Sequence, residues 1–395
     1  MDPRINPFTP GAGEDPPELA GRDAIREQAD IATARLRRGL STRGMLLIGL
    51  RGVGKTVLQK RILDDAHAAG GHVLKIEAIQ KQSLPGLLLP PLREVLLRLS
   101  RIESARDLAA RAMRGLAGML ARVKLRYADV EVVVDVEPEP GLADSGDLGY
   151  DLRSLLEAVG EAARAGNTTV LIGIDEMQYL SPDDLGLLIL ALHHLAQRRL
   201  PVMLLGAGLP QLPGQLGKAR SYAERMLKFE EIGPLDTDAA AEAIRKPLAD
   251  LKVEIDPAAL DALFEQTRGY PYFLQEWGLH TWDAADASPI ELDDVHAATI
   301  TATAALDASF FRVRYDQLTP TEKAYLRSMA ELGTGPHRSG DVAAVMERSV
   351  QSVAPLRAGL IRKGMIWSPR QGDTAFTVPL FDGYLCRVMP ELPPV

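Results

Sequence analysis

The stretch Gly49-Leu50-Arg51-Gly52-Val53-Gly54-Lys55-Thr56 decides the fold of this chain. An apolar run, Gly44-Met45-Leu46-Leu47-Ile48, precedes it, and a helical pattern from Val57 to Ala69 follows it. The next apolar run is His72 to Ile76, so the order is strand, helix, strand, which predicts a βαβ unit and a parallel sheet. The stretch itself fits the G-x-x-x-x-G-K-[ST] pattern of a phosphate-binding loop, and a strand before it and a helix after it are the context that this pattern requires.

The residue types of this loop suit phosphate chemistry. Gly49, Gly52 and Gly54 allow consecutive backbone N–H groups to turn inward around phosphate oxygens, where side chains would collide. Lys55 supplies positive charge to the β- and γ-phosphates, and the Thr56 hydroxyl is a ligand for Mg²⁺. The residues expected to bind ATP or ADP here are Gly49, Arg51, Gly52, Val53, Gly54, Lys55, Thr56 and Val57.

Two acidic residues follow a second buried run. The run from Thr168 to Ile174 is apolar enough for a buried strand, and Asp175-Glu176 comes directly after it. After a phosphate-binding loop, this pair predicts that Asp175 holds Mg²⁺ together with Thr56. Glu176 is then expected to orient the water that attacks the γ-phosphate. Lys55 and Glu176 are therefore the predicted catalytic residues.

Length and composition bound the class of protein. The chain has 395 residues, which suggests two or three domains, and 46% hydrophobic residues with 25% charged residues are typical of a globular protein. The net charge of −8 excludes a uniformly basic surface for nucleic acid, but it does not exclude a local basic face. Cys386 is the only cysteine, which excludes an intramolecular disulfide and a cysteine-based zinc site. The start of the chain lacks the apolar run of a signal peptide, and no stretch is apolar enough for a membrane span, so we expect a cytoplasmic protein that does not bind membranes.

Residues 81–151 interrupt the α/β order with an insertion whose two halves carry opposite net charges. The segment from Arg93 to Arg126 carries a net charge of +6. The segment from Tyr127 to Asp151 carries −8, so the 370 residues outside this acidic segment sum to zero. Within the acidic half, Val130, Val132, Val134 and Val136 alternate with mostly acidic neighbours, which predicts a strand with one solvated face. The basic half is either a second DNA contact or a solvated helix face. A helix from about Leu152 to Ala165 then resumes the α/β order.

The two ends of the chain differ from the centre. Residues 1–18 are rich in proline, which predicts an extended arm that docks on the folded part. From Asp236 to about Ala305 the pattern is helical throughout. Thr319-Pro320-Thr321-Glu322 is a capping box, and the pattern after it predicts three helices followed by a hairpin of two short strands, the order of a winged helix.

The basic residues of this C-terminal region suit a recognition helix and a wing on duplex DNA. They are Arg348, Arg357, Arg362, Lys363 and Arg370. Asp341, Glu347 and Asp373 nearly balance them, so a winged helix that binds a protein, or packs on the preceding helical region, is the alternative.

In the order of these elements the chain resembles the AAA+ ATPases, specifically the clade of archaeal and bacterial origin-recognition-like ATPases. The resemblance lies in the arm with Leu19-Ala20-Gly21-Arg22-Asp23, the phosphate-binding loop, Asp175-Glu176, the helical region and the C-terminal winged helix. It implies an α/β fold with an AAA+ parallel-sheet core at residues 1–232, which carries the insertion at about 81–151. An all-helical lid at 233–309 and a winged-helix domain at 310–395 would follow.

The resemblance also implies roles for single residues. Arg22 would lie in the element that closes over the adenine. The family often has a polar sensor at the end of the strand after the acids, but Met203 to Gly208 offers no polar side chain. Tyr272 stands where a second sensor arginine is common, and Arg268 substitutes only if its helix presents it to the nucleotide. These departures favour slow hydrolysis.

Oligomeric members of the family supply an arginine finger to a neighbouring subunit. Arg220 and Arg225 lie in the corresponding region before the lid, and we prefer Arg225 as the third catalytic residue. A homo-oligomer is compatible with this choice. The resulting prediction is a nucleotide switch that binds Mg²⁺ and ATP, hydrolyses ATP slowly and couples its state to double-stranded DNA through the winged helix. The alternative is a signalling or regulatory ATPase whose winged helix and insertion bind a protein partner.

Overall fold

The computed structural model describes residues 1–11, 16–80, 82–126 and 136–392, and for 122–126 it describes the backbone alone. The packing of the chain divides it into two compact units. We name residues 22–48 and 55–231 the core unit, and residues 1–21, 49–54 and 232–395 the C-terminal unit. Each unit has its own hydrophobic core.

A five-stranded parallel sheet lies at the centre of the core unit, with the order β2-β3-β4-β1-β5. Its strands are β1 (Gly44–Ile48), β2 (His72–Glu77), β3 (Val170–Asp175), β4 (Val202–Gly208) and β5 (Leu227–Glu231). Every residue of β3 and β4 is buried, as expected of central strands covered on both faces. The predicted α/β class and parallel sheet are confirmed, and β5 is an additional strand that the sequence pattern did not predict.

Eight helices are described in the core unit. They are α1 (Asp23–Arg37), α2 (Lys55–Ala68), α3 (Leu84–Leu99), α4 (Arg106–Arg126), α5 (Leu148–Ala165), α6 (Pro182–Gln197), α7 (Leu212–Ala219) and α8 (Ala223–Met226). The basic half of the predicted insertion is α3 and α4, and leucines such as Leu88, Leu96 and Leu116 are fully buried in the same core as the sheet. The basic half is thus an integral part of the core unit.

The helix predicted from about Leu152 begins earlier, at Leu148. The side chain of Asp147 caps it, because Asp147 Oδ1 accepts hydrogen bonds from the backbone N–H groups of Gly149 and Tyr150 at 2.9 and 3.0 Å. The strand predicted over the alternating valines falls largely on residues 127–135, which lie outside the described part of the chain. Val136 is described, and it is exposed and outside any strand.

Helices dominate the C-terminal unit. They are α9 (Thr237–Asp250), α10 (Pro257–Thr267), α11 (Pro271–Ala284), α12 (Leu292–Leu306), α13 (Arg312–Asp316), α14 (Pro320–Glu331), α15 (Ser339–Val345), α16 (Val350–Arg362) and α17 (Phe381–Val388). A small antiparallel sheet with the order β6-β8-β7 consists of β6 (His337–Arg338), β7 (Ile366–Trp367) and β8 (Asp373–Phe376). The predicted capping box is present, since Thr319 and Glu322 bond each other's backbone N–H groups at 2.8 and 3.3 Å.

The proline-rich arm docks on α11, as predicted for an extended segment. Phe8 is buried, and its ring lies over Gly278, where a Cβ atom would approach it to 2.6 Å. Asn6 Nδ2 donates to the carbonyl of Leu279 at 3.0 Å, and Trp282 Nε1 donates to the carbonyl of Asp2 at 2.9 Å. The arm is thereby part of the core of the C-terminal unit. No helix in the described ranges has the length and apolar character needed to cross a membrane.

Candidate active site

The glycines of residues 49–54 have the conformations that a phosphate-binding loop needs. Gly52 and Gly54 have φ angles of 79° and 86°, in the left-handed region that disfavours side chains. A Cβ atom on Gly49 would lie 2.1 Å from the carbonyl oxygen of Ile232. Gly49 and Gly52 therefore cannot be exchanged without strain, and Val53, between Gly52 and Gly54, is buried.

Within the C-terminal unit, this loop contacts two separate segments. The backbone N–H of Tyr272 donates to the carbonyl of Gly52 at 3.2 Å, at the start of α11. The backbone N–H of Arg51 donates to the carbonyl of Thr377 at 3.1 Å, directly after β8. A change in the loop conformation would therefore alter the hydrogen bonds to both segments.

Within the core unit, the two predicted Mg²⁺ ligands lie together. The Thr56 hydroxyl donates to Asp175 Oδ2 at 2.6 Å, and the other carboxylate oxygen accepts from the Glu176 N–H at 2.7 Å. Asp175 is the last residue of β3 and is buried, as is Lys55, the first residue of α2. A hydroxyl and a carboxylate oxygen are hard ligands of the kind that Mg²⁺ takes beside nucleotide phosphates, so the residues present fit this ion.

Glu176 is held by a glutamine that the sequence analysis did not single out. Glu176 has a φ angle of 52° and begins a 3₁₀ turn over Met177–Tyr179. The Gln178 side chain donates through Nε2 to the Glu176 carboxylate, and its Oε1 accepts from the backbone N–H of Leu209 at 3.1 Å. Gln178 therefore links the side chain of the predicted catalytic residue Glu176 to the backbone of Leu209, which follows β4.

A second glutamine supports the strands that carry these residues. Gln59, on α2, is buried, and its Nε2 donates to the carbonyls of Ile174 and Leu205 at 3.1 and 2.8 Å. It thereby links β3, one residue before Asp175, to β4. A glutamine one turn after the Lys-Thr pair is the signal from which this residue is recognisable, but its role depends on the sheet.

The two positions where the resemblance implies sensor residues hold apolar side chains or an aromatic ring that packs away from the loop. Met203 and Leu205 are buried in β4, which runs on to Gly208. The ring of Tyr272 stacks on Phe310 with 4.8 Å between centroids, and burial raises the pKa of its phenol, with a further rise from the Glu276 charge. Tyr272 thus meets the loop through its backbone, while its ring belongs to an aromatic cluster.

The predicted arginines occupy different places. Arg22 is buried directly before α1, whereas Arg225 is exposed on α8 of the core unit. Arg220 is exposed at the end of α7, and Arg268 is exposed after α10 with a φ angle of 52°. Val57 is half-buried in the first turn of α2. Among the predicted site residues, the structure brings together Thr56 and Glu176 with Asp175, and Gly52 with Tyr272.

Two of the five basic residues predicted for a nucleic-acid surface bond other residues of the C-terminal unit. Arg357 is half-buried and donates to Thr374 Oγ1 at 2.9 Å and to the carbonyl of Asp373 at 2.8 Å, so it fixes β8 to α16. Lys363 is exposed, but its Nζ donates to Glu322 Oε2 at 2.7 Å. The other three, Arg348, Arg362 and Arg370, are exposed as well.

Comparison with known proteins gives two family matches. Residues 18–205 match the AAA ATPase domain family, which covers β1 to the middle of β4 and includes the loop and both acids. Residues 308–385 match a family described as a domain of unknown function, DUF8462. No curated protein matches the chain. The AAA ATPase match supports the predicted ATPase fold, and it extends well beyond the two motifs.

Several solved structures are similar over nearly the whole chain at low identity. The Orc1 protein of Aeropyrum pernix in complex with DNA is 16% identical with a TM-score of 0.47, covering 98% of this chain and 96% of that chain. Cdc6p of Pyrobaculum aerophilum is 15% identical with a TM-score of 0.45, covering 100% and 99%. The RuvB Holliday junction branch migration motor of Thermotoga maritima is 17% identical with a TM-score of 0.45, covering 94% and 95%. The AAA ATPase domain family is matched over residues 18–205, just under half of the chain.

Proposed function

This chain carries an AAA ATPase domain at residues 18–205, and from that premise we propose that it binds Mg²⁺ and ATP and hydrolyses ATP slowly. The observation that carries this proposal is the contact of Thr56 Oγ1 with Asp175 Oδ2 at 2.6 Å, directly after Lys55 and beside Glu176. A hydroxyl, a buried carboxylate and a lysine at the carboxyl end of a parallel sheet are the groups that nucleotide chemistry requires there.

Each residue of this group has a defined task. Lys55 binds the β- and γ-phosphates, and Thr56 and Asp175 hold Mg²⁺. Bound Mg²⁺ neutralises charge on the phosphates. Glu176 orients the attacking water, and its backbone position is fixed by the bond of its N–H to Asp175. Slow turnover is supported by the apolar end of β4 and by Tyr272, whose ring stacks on Phe310 rather than offering a cation.

The hydrolysis step is tested by Glu176→Gln, which keeps the side-chain shape and removes the carboxylate. We expect the variant to bind ATP with unchanged affinity and to release phosphate at least 10-fold more slowly, on the order of general-base contributions. Glu231→Gln, an exposed glutamate at the end of β5, is the matched control and should behave as the wild type. Equal phosphate release by the Glu176 variant would remove this residue from its role.

We further propose that nucleotide binding acts as a switch on the C-terminal unit. The loop 49–54 bonds both Tyr272 and Thr377 within that unit, so phosphate oxygens that reorganise the loop would strain or release both contacts. The element order α14, β6, α15, α16, β7, β8 supports a winged helix in the second of these regions. The switch would then change how this winged helix meets its target.

Double-stranded DNA is the target that we prefer, because Arg348, Arg362 and Arg370 are exposed on this region. A titration of a short duplex with and without ATP, at two salt concentrations, tests it. We expect affinity that depends on ATP and falls steeply with salt. Arg362→Ala should weaken binding and reduce the salt slope by about 1, as for the loss of one phosphate contact.

A protein partner is the second candidate. It is favoured by the bonds of Arg357 to Thr374 and of Lys363 to Glu322, because these two cations are then less available to phosphates than the sequence predicts. A flat titration that is independent of nucleotide and salt would reject the DNA target and favour this regulatory function. Co-purification with ATP present and absent would then identify the nucleotide state that binds.

Oligomerisation would complete the site. Arg225 is exposed on α8, where it is accessible to the nucleotide of a neighbouring subunit. A finger in trans typically raises turnover by about 10³-fold or more. If Arg225 is this finger, Arg225→Ala lowers phosphate release per chain, and wild-type turnover rises with protein concentration. Turnover that is independent of concentration and of this substitution would exclude a finger at Arg225.

A further inference from the structure

The end of β4 is shaped to admit side chains from the turn after β3. A Cβ atom on Gly206 would lie 2.3 Å from Met177 Sδ, and one on Gly208 would lie 2.9 Å from Gln178 Oε1. Both distances are shorter than real Cβ contacts, so a side chain at either position would force its neighbour to move. Because these two positions are glycines, Met177 and Gln178 occupy the space where a polar residue of β4 would otherwise project.

Gln178 is attached at both ends of its amide. Its oxygen accepts from the backbone N–H of Leu209 at 3.1 Å, and its nitrogen donates to the Glu176 carboxylate. A neutral amide accepts at its oxygen and donates at its nitrogen, so it can make both bonds at once. Since Gln178 is 9% exposed, solvent competes little for these bonds, and the Leu209 backbone is a rigid anchor.

We propose that Gln178 is a positioning residue that fixes the Glu176 carboxylate for water activation, in place of a polar residue on β4. This inference rests on the proposed ATP hydrolysis. By donating to one carboxylate oxygen, the amide restricts the rotation of the Glu176 side chain and so holds the carboxylate in one orientation. Gln178 itself does not touch the nucleotide, so its effect falls on turnover rather than on ATP affinity.

Two substitutions separate the two bonds of the amide. Gln178→Met has a similar shape and loses both bonds. Gln178→Glu keeps an acceptor for the Leu209 N–H but cannot donate to Glu176, so it retains the anchor and removes the positioning. Gln211→Met is the matched control, because Gln211 lies just after β4 and its buried Oε1 has no hydrogen-bond partner among the described residues.

The measurements are kcat and KM for phosphate release, with the stoichiometry of ATP binding by calorimetry. For both Gln178 variants we expect kcat to fall about 10–100-fold, as for the loss of an outer-shell partner, with KM and one ATP per chain unchanged. Gln211→Met should match the wild type. In a double-mutant cycle, Gln178→Met should have little further effect in the Glu176→Gln background, whereas a merely structural role would lower turnover in both backgrounds.

The outcomes distinguish the inference from the proposed function. Wild-type turnover by Gln178→Glu, with ATP bound, would overturn the role of Gln178 and leave the ATPase intact. Additive losses in the double-mutant cycle would overturn it as well. A wild-type chain that binds ATP without releasing phosphate would overturn both this role and the hydrolysis step, and a chain that binds no ATP would overturn the proposed function itself.

Discussion

Gly52→Ala is predicted to weaken ATP binding through backbone strain alone. Gly52 has a φ angle of 79°, and a Cβ atom there would meet only Tyr272 Cβ at 3.4 Å, which is an ordinary contact. The cost of the substitution is therefore that of an L-residue in the left-handed region, about 1–2 kcal/mol. When the loop is empty it can relieve this strain by changing conformation, but a bound phosphate requires the original one. The free energy of ATP binding is then less favourable by this amount, which corresponds to an affinity roughly 5–30-fold weaker.

The matched control for this prediction is Gly372→Ala. Gly372 has a φ angle of 88° in the turn before β8, and a Cβ atom there would meet nothing within 4 Å. In thermal melts without ATP, Gly52→Ala should lose no more stability than Gly372→Ala, because the empty loop relieves its strain, whereas calorimetry should show weaker ATP binding for Gly52→Ala alone. Wild-type ATP affinity of the Gly52 variant, together with an equal loss of stability in both, would refute the role of this loop conformation.

Three further predictions concern stability. Burial raises the pKa of Glu322, but the bonds from Lys363 and from Thr319 in the capping box outweigh this effect and hold the pKa below its ordinary value. A carboxylate with a lowered pKa stabilises the folded state at pH values above its unfolded pKa. Glu322→Gln should therefore lower the free energy of unfolding by about 0.5–1 kcal/mol at neutral pH. In melts from pH 7 to pH 3, the difference from the wild type should shrink as pH falls and the folded carboxylate is protonated, and a constant difference would contradict the ion pair. Arg357→Ala should destabilise by about 1–3 kcal/mol in urea unfolding because Thr374 and Asp373 lose their donor, whereas exposed Arg362→Ala should change stability by less than about 0.5 kcal/mol; equal effects would contradict the inward role of Arg357. Phe8→Ala should cost about 3–5 kcal/mol in the same assay, since it empties a buried site, and a loss below about 1 kcal/mol would show that the arm does not belong to the core.

The parts of the fold that could be predicted carry their signal in adjacent residues. The phosphate-binding loop, β1 and β3 are short apolar runs and a motif, and the capping box at Thr319 is a four-residue pattern. By contrast, β5 lies at the edge of the sheet, and Lys228, Glu230 and Glu231 make three of its five residues charged. An edge strand with one neighbour needs no apolar run, so its strand character depends on pairing with β1 and is invisible locally.

The site was predictable to the same extent. The ligands Thr56 and Asp175 follow from the motifs, but Gln178 acquires its role from Leu209, 31 residues later, and from the missing side chain of Gly208. Arg357 illustrates the converse, because an arginine beside other cations predicts a nucleic-acid surface until its guanidinium is seen to bond Thr374. Tertiary contacts decide both residues, and no local pattern records them.

The central claim, that this AAA ATPase domain binds ATP through its phosphate-binding loop, is tested most directly by thermal melting with Mg²⁺ and ATP. At ATP about 100-fold above Kd, the wild type should gain about 2.7 kcal/mol of stability, whereas Lys55→Ala should gain none at the same concentration. Lys60→Ala, one turn further along α2, is the control and should be protected like the wild type. Equal protection of the Lys55 variant by ATP, or no protection of the wild type, would contradict the claim.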